Sequence, residues 1–423
     1  MNTTTTTGAA PSRARDSAAE TVVIVGMSLA GLRAAETLRR LSFSGRIVGV
    51  SAEVHTPYDR PPLSKDFLSG TRDVGDLQLR KGGVDDLGIE WRLGVRATAL
   101  DVANQTVVLG DGEVLHYHHL LIATGATPRM LPPEVCAPGL ANVLALRTLD
   151  DALALRGVLD AAGNAARVCV IGAGFIGAEV AATCRGRGVD VTVLEAQEQP
   201  MIRGLGSELG AVCAQLHREH GVDLRLGVSI VSVEDDGSGS VRRVRLADGE
   251  AVECDVLVVG IGVVPDTEWL RSADGITVDN GVVCDEYCRA APNVYAIGDV
   301  ARWPNPLFDG EMMRLEHWTN AAEQGSHVAE SIVSGEPKPF AAVPFVWSDQ
   351  YDCKIQSVGR FDADHHIEIV HGDLASRKFV ALFGRDGLLR GALGFSSPRF
   401  VMKYRRMISE RATFDAAVAS AKD

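Results

Sequence analysis

The feature that most constrains the fold is a glycine-containing turn that occurs twice, each time between a β-branched run and a helical pattern. TVVIVG from Thr21 leads into LAGLRAAETLRRL and then RIVGV, and ARVCVIGAGFIGAEVAATCRGRGVDVTVLEA repeats the pattern from Ala166. Strand, turn, helix and strand make a βαβ unit, and such apolar runs mark parallel strands buried on both faces. The opening glycines, Gly26 and Gly172, stand 146 residues apart, so the chain is expected to hold two nucleotide-binding cores.

At about 150 residues per domain, 423 residues leave room for a third unit. From about Lys338 the texture changes to alternating strands (CKIQSVGRF, HIEIVHG, KFVALFG, LRGALGF) and a last basic helix. The expected architecture is α/β: two Rossmann-like dinucleotide-binding domains, the second inserted in the first, followed by a C-terminal α+β domain. The boundaries read as a disordered tail over 1–20, a first domain over 21–127 and 257–337, an inserted domain over 128–256, and the last domain over 338–423.

Composition narrows the partners. Forty-two basic against fifty-five acidic residues leave a charge of −13, which repels phosphate backbones and argues against a nucleic-acid binder. No apolar run approaches the ~20 residues that cross a bilayer. The eight Cys include no CxxC, and Cys284 with Cys288 is too sparse for zinc or an iron–sulfur cluster. They read as reduced thiols of a cytoplasmic protein. His116, His118 and His119 lack the spaced acid of a metal site, so no metal is expected.

Gly172-Ala-Gly174-Phe175-Ile176-Gly177 is a full GxGxxG. The first Gly makes the turn, the second admits a pyrophosphate, and the third lets helix and strand pack. The helix N-terminus then faces the phosphates. Glu195 ends the next strand, 21 residues after Gly174, where a carboxylate can hold ribose hydroxyls and would repel a 2′-phosphate. NADH is therefore favoured over NADPH. In the first turn, Gly26-Met-Ser28-Leu-Ala30-Gly31, Ser28 replaces the middle Gly. Glu53 is the candidate ribose partner there, although Ala52 occupies the place where the acid fits best.

YDRPPLSKDFL (58–68), LLIATGATPR (120–129), GAGFIGAE, VVGIGVVPD, VYAIGDVA and RLEHWTNAAEQG together resemble the FAD-dependent ferredoxin and rubredoxin reductases of bacterial oxygenase systems, to which apoptosis-inducing factor is a distant relative. The resemblance spans about 21–415 in matching order. It implies FAD in the first unit, NADH in the second, and a small iron–sulfur carrier, ferredoxin or rubredoxin, as partner. It places Arg60 near the FAD pyrophosphate and Lys65 at the flavin, with Glu179 as the partner of Lys65. Ala123, Thr124, Gly125 and Arg129 would close over FAD, with Gly262 and Gly298 as further backbone approaches. Asp299 would meet the ribityl chain. Glu316, His317 and Trp318 would lie at the helix end facing the flavin pyrimidine. Lys65, Glu179 and Trp318 are the residues expected at the reacting centre.

Trp347 is either a flavin-facing aromatic or a core residue. Phe345 stands where relatives carry a Trp. Arg399, Lys403, Arg405 and Arg406 form a basic cluster that could steer an acidic carrier, or an ordinary solvated helix face. A two-electron donor feeding one-electron carriers calls for a flavin between them. A disulfide or peroxide reductase would need a redox Cys that residues 1–135 do not contain, and an NADH-responsive signalling flavoprotein is the remaining alternative.

Overall fold

The computed structural model describes residues 18–362 and 365–422, with only the backbone described for 202–204. Most of the expected tail, 1–17, lies outside the described residues. Glu20 is already part of the ordered structure, its carbonyl accepting the Arg46 N–H at 2.9 Å.

Six strands form the first sheet, in the order Arg289–Ala291, Val294–Ala296, His119–Ile122, Thr21–Val25, Arg46–Ser51 and Ile89–Leu93. All neighbours are parallel except the first pair. Val22, Val23 and Ile24 are fully buried, as parallel strands covered on both faces require. Helix Leu29–Arg40 follows the first strand, its last turn carrying Arg39 and Arg40 against the dipole. It packs closely on helix Trp318–Ser334, because a side chain at Gly325 would put its Cβ 2.3 Å from the Ala30 carbonyl.

The second sheet is wholly parallel: Asp223–Leu226, Asp190–Glu195, Arg167–Ile171, Val256–Val259 and Val143–Leu144. The expected break at 256/257 is therefore misplaced. The run ECDVLVVGIGVVPD holds two strands, and the first, Val256–Val259, belongs to the inserted unit. The chain returns through Val263–Pro265, which pairs antiparallel with Ala126–Pro128 in a two-stranded ribbon. Both crossings between the units thus lie side by side.

The third unit is an antiparallel sheet ordered Phe345–Gln350, Cys353–Gly359, Leu388–Phe395, Lys378–Arg385 and His366–Asp373. Val380, Leu382, Val401, Tyr404 and Ile408 join the sheet to its own helix Pro398–Ser409 and the first unit's core. Phe379, Phe383 and Phe395 pack instead with Leu209, Cys213 and Leu216 of helix Ile202–Glu219 in the second unit. Residues 340–342, expected in the third unit, are tied to the first: the Phe340 and Ala342 carbonyls accept from Trp303 Nε1 and Asn305 Nδ2 at 3.1 and 2.8 Å.

Candidate flavin and nicotinamide site

Both glycine turns are built by backbone contact. Gly26 and Gly172 have φ of +106° and +97°, and a Cβ at either would lie 2.1 Å from the Ala123 carbonyl or 2.4 Å from the Gly260 carbonyl. A Cβ at Gly31 or Gly177 would lie 2.2 or 2.0 Å from the carbonyl of the turn's first glycine. Only the middle positions are free. Gly174 (φ −77°, ψ −174°) and Ser28 (φ −82°, ψ −152°) share an extended N-cap conformation that any residue adopts, and a Cβ at Gly174 meets no protein atom within 4 Å. Ser28 uses its side chain, accepting a hydrogen bond from Arg60 Nε at 3.1 Å. Glu195 closes the second turn: its carboxylate accepts the Ala173 and Gln197 N–H groups at 2.7 and 2.9 Å.

A cavity of about 580 Å³ runs between the turns and under the third unit. That is within the range of cofactor sites. Ser28, Ala30, Arg60, Lys65, Ala123, Gly125, Phe175, Ile176, Glu179, Gly298, Asp299, Glu316, His317 and Trp318 line it, so most of the expected site residues converge. Trp347 lines it too, edge-on to Trp318 with ring centroids 6.2 Å apart, and is not a core residue. Phe345 lies 5.7 Å from Trp347.

RPPLSK is positioned by its prolines. Pro61 and Pro62 start a 3₁₀ turn that ends at Lys65. The Lys65 ammonium lies 2.6 Å from Glu179 Oε2. Glu179 sits on helix Phe175–Gly186, only 2% exposed, and also accepts Ser64 Oγ at 2.6 Å and Ser348 Oγ at 2.7 Å. A buried carboxylate is tolerable only with partners of this kind. Its three donors come from the first and third units, so the pair marks the point where all three units meet.

Asp299 accepts from Arg147 Nη2 at 2.7 Å, and Arg147 lines the cavity. His317 is the N-cap of helix Trp318–Ser334. Burial pushes its imidazole down to about 4, so it is neutral at pH 7, and its Nδ1 has no hydrogen-bond partner in the protein. Trp318 Nε1 donates to Asp59 at 2.8 Å, which fixes the indole on the wall.

Several expectations change. Glu53 is not on the wall: it stands behind Arg60, paired with it at 2.6 Å. Arg129 is exposed at the ribbon, its N–H on the Gly262 carbonyl at 2.9 Å, and it does not line the cavity. Arg147, Arg314 and Arg360 line it instead, beside Arg60. Thr124 reaches the ribbon through Asp266 at 2.7 Å. Gly262, with φ of +99°, turns the chain before Val263. The basic cluster divides, because Arg405 turns inward to Glu323 at 2.7 Å while Arg399, Lys403 and Arg406 face out. Sequence reasoning missed Arg147, Ser64, Ser348 and Tyr58. Arg147 carried one signal, since it precedes Thr148, whose capping box with Asp151 starts helix Leu149–Ala162.

The residues fit two dinucleotides. The two phosphate turns, the open space at Gly174, the cavity and the unpartnered His317 Nδ1 together make a cradle with polar groups left for a ligand.

Residues 20–325 match the family described as pyridine nucleotide-disulphide oxidoreductase, and residues 345–423 match the reductase C-terminal family. The chain belongs to the pyridine nucleotide-disulphide oxidoreductases. It is 40% identical over 368 residues to the ferredoxin reductase subunit of 5,5′-dehydrodivanillate O-demethylase from Sphingobium sp., covering 86% of this chain and 87% of that protein. Rhodocoxin reductase of Rhodococcus erythropolis is 38% identical over 392 residues, covering 92% and 89%. Among solved structures, the covalent putidaredoxin reductase–putidaredoxin complex aligns with a TM-score of 0.89 at 33% identity, over 95% of this chain and 99% of that one. Family membership does not bring a thiol relay to this chain. All eight Cys are buried, and none lines the cavity among the described residues.

Proposed function

We propose that the chain is an NADH-dependent ferredoxin or rubredoxin reductase that takes FAD in the first unit and NADH in the second and serves an oxygenase. The observation that carries this reading is the cavity wall: the second turn's Phe175 and Ile176 face Lys65, Trp318 and Trp347 across one space, with no sulfur between them. The similar proteins named above, reductases of ferredoxin and rhodocoxin, agree with it.

FAD held at Ser28, Arg60 and Lys65 would supply the exchange between the two electrons of NADH and the single electrons of the carrier. The chain's own residues bind and position. The turn N–H groups and the two helix N-termini face the phosphates. The Lys65 ammonium, held by Glu179, and the N-terminus of helix Trp318–Ser334 place positive potential where reduction adds negative charge. Neutral His317 adds a hydrogen-bonding group without adding charge. Glu195 favours NADH, and the third unit covers the cavity through Trp347. Outward-facing Arg399, Lys403 and Arg406 suit an acidic carrier, so docking is assigned to that helix face. Eight buried, unpaired thiols favour the cytoplasm.

The test is direct. Purified protein is expected to be yellow, to bleach with NADH under nitrogen, and to reduce cytochrome c only when a ferredoxin or rubredoxin is added. Colourless protein that stays so after incubation with FAD would overturn the proposal.

A further inference from the structure

In a βαβ dinucleotide site, an acid just past the second strand usually holds the adenosine ribose. Here the strand Arg46–Ser51 is followed by Ala52, and the acid comes one residue later at Glu53. Both Glu53 oxygens face protein. Oε1 accepts Arg60 Nη2 at 2.6 Å, and Oε2 accepts the Tyr58 hydroxyl at 2.5 Å. Tyr58 is itself fixed, since it is buried and its oxygen accepts the Leu149 N–H at 2.9 Å. Arg60 is in turn aimed, with Nε on Ser28 Oγ at 3.1 Å and Nη1 on the Arg147 carbonyl at 2.5 Å. Three of its five N–H groups are engaged, which leaves two for a phosphate beside the turn. Arg60 and Ser28 line the cavity, whereas Glu53 does not.

We infer that Glu53 is a positioning residue that locks Arg60 against the Ser28 phosphate turn, and that this chain holds the adenosine ribose of its flavin without a carboxylate. The inference rests on the first unit binding FAD. Its content is a division of labour: Tyr58 orients Glu53, Glu53 orients Arg60, and Arg60 meets the pyrophosphate. Ser28, which departs from glycine, becomes part of the same device, because its hydroxyl anchors the guanidinium alongside Glu53 and the Arg147 carbonyl. The geometry also predicts indifference to the adenosine 2′-hydroxyl, since no acid stands where that group would be read.

The experiment titrates the flavin-stripped full chain with FAD and with FAD carrying 2′-deoxyadenosine, following flavin fluorescence. Glu53→Gln is expected to weaken both flavins by the same factor, about tenfold, as one charge-assisted bond is lost. Tyr58→Phe is expected to weaken both equally by less. In an Arg60→Met background, Glu53→Gln is expected to cost nothing further. A loss confined to FAD, with the deoxy analogue bound as by the parent, would restore Glu53 to the ribose and overturn the inference. A loss that persists undiminished in the Arg60→Met background would make Glu53 merely structural and overturn it equally. Should Glu53→Gln not fold, the Tyr58→Phe pair of titrations decides by the same criterion. Failure of the parent to bind either flavin refutes the reading of the site instead.

Discussion

The open middle of the second turn allows ligand binding to be separated from folding. In Gly174→Ala the new methyl meets no protein atom within 4 Å, and φ of −77° suits alanine. Ser28 already carries a side chain at the matching position of the first turn. Stability should change by no more than about 1 kcal/mol, the scale of an N-cap substitution. The methyl would instead occupy the mouth where the helix N-terminus faces a pyrophosphate. Displacing that group by about one carbon radius removes at least one charge-assisted hydrogen bond, worth about 1.5–3 kcal/mol, or roughly 10- to 150-fold in NADH affinity. Anaerobic stopped-flow bleaching of the bound flavin against NADH concentration measures this: the half-saturating concentration should rise by that factor, with the limiting rate and flavin content little changed. Gly177→Ala is the contrast, because its Cβ would lie 2.0 Å from the Gly172 carbonyl and must deform backbone. An NADH affinity within twofold of the parent in Gly174→Ala, or a melting temperature as depressed as in Gly177→Ala, would refute the reasoning.

Lys65→Met leaves buried Glu179 with only two hydroxyl donors and should cost about 3 kcal/mol in urea unfolding, much of it recovered in the Lys65→Met/Glu179→Leu double variant. His217 is fully buried, its Nδ1 2.7 Å from the Tyr351 hydroxyl, and burial, with His220 nearby, pushes it from 6.5 down to about 4. The unfolded chain therefore takes up the proton first, so this contribution is complete above pH 6.5 and shrinks as pH falls toward 4, by about 3 kcal/mol; His217→Gln should flatten that slope in pH-dependent denaturation. Charge reversal of Arg399 and Lys403 should raise the KM for an acidic carrier several-fold at low salt and much less at high salt, with ferricyanide turnover unchanged; equal effects at both salt concentrations would remove the docking assignment.

What could be read from residues alone followed the range of the forces involved. Gly31 and Gly177 are legible because their constraint is backbone against backbone within one βαβ unit, and Gly26 and Gly172, pressed on the Ala123 and Gly260 carbonyls of a neighbouring strand's end, are legible through the spacing of the same motif. Lys65, Glu179 and Trp318 became legible only through resemblance, since the first two stand 114 positions apart and meet through tertiary packing. Ser348 and Arg147 escaped notice because a serine in a strand and an arginine before a helix look ordinary until another unit folds against them. Glu53 was placed in the right neighbourhood with the wrong partner: spacing locates the end of a strand, but not which way a carboxylate turns when an arginine and a tyrosine stand nearby. The 256/257 boundary failed for a similar reason, because a continuous apolar run hides the break between two strands that serve different sheets.

The seating of strand His119–Ile122 between Thr21–Val25 and Val294–Ala296 has a consequence for biosynthesis. One neighbour is made before it, but the other emerges only about 170 residues later, after the whole inserted unit. At ribosomal speeds of about 5–20 residues per second, the wait is roughly 10–30 s. Through that interval a strand carrying Leu120, Leu121 and Ile122 presents an open row of amide and carbonyl groups, the kind of template on which nascent chains aggregate. Heterologous yield should thus depend on how fast the insert is translated and on whether a chaperone shields that margin until the late strand arrives.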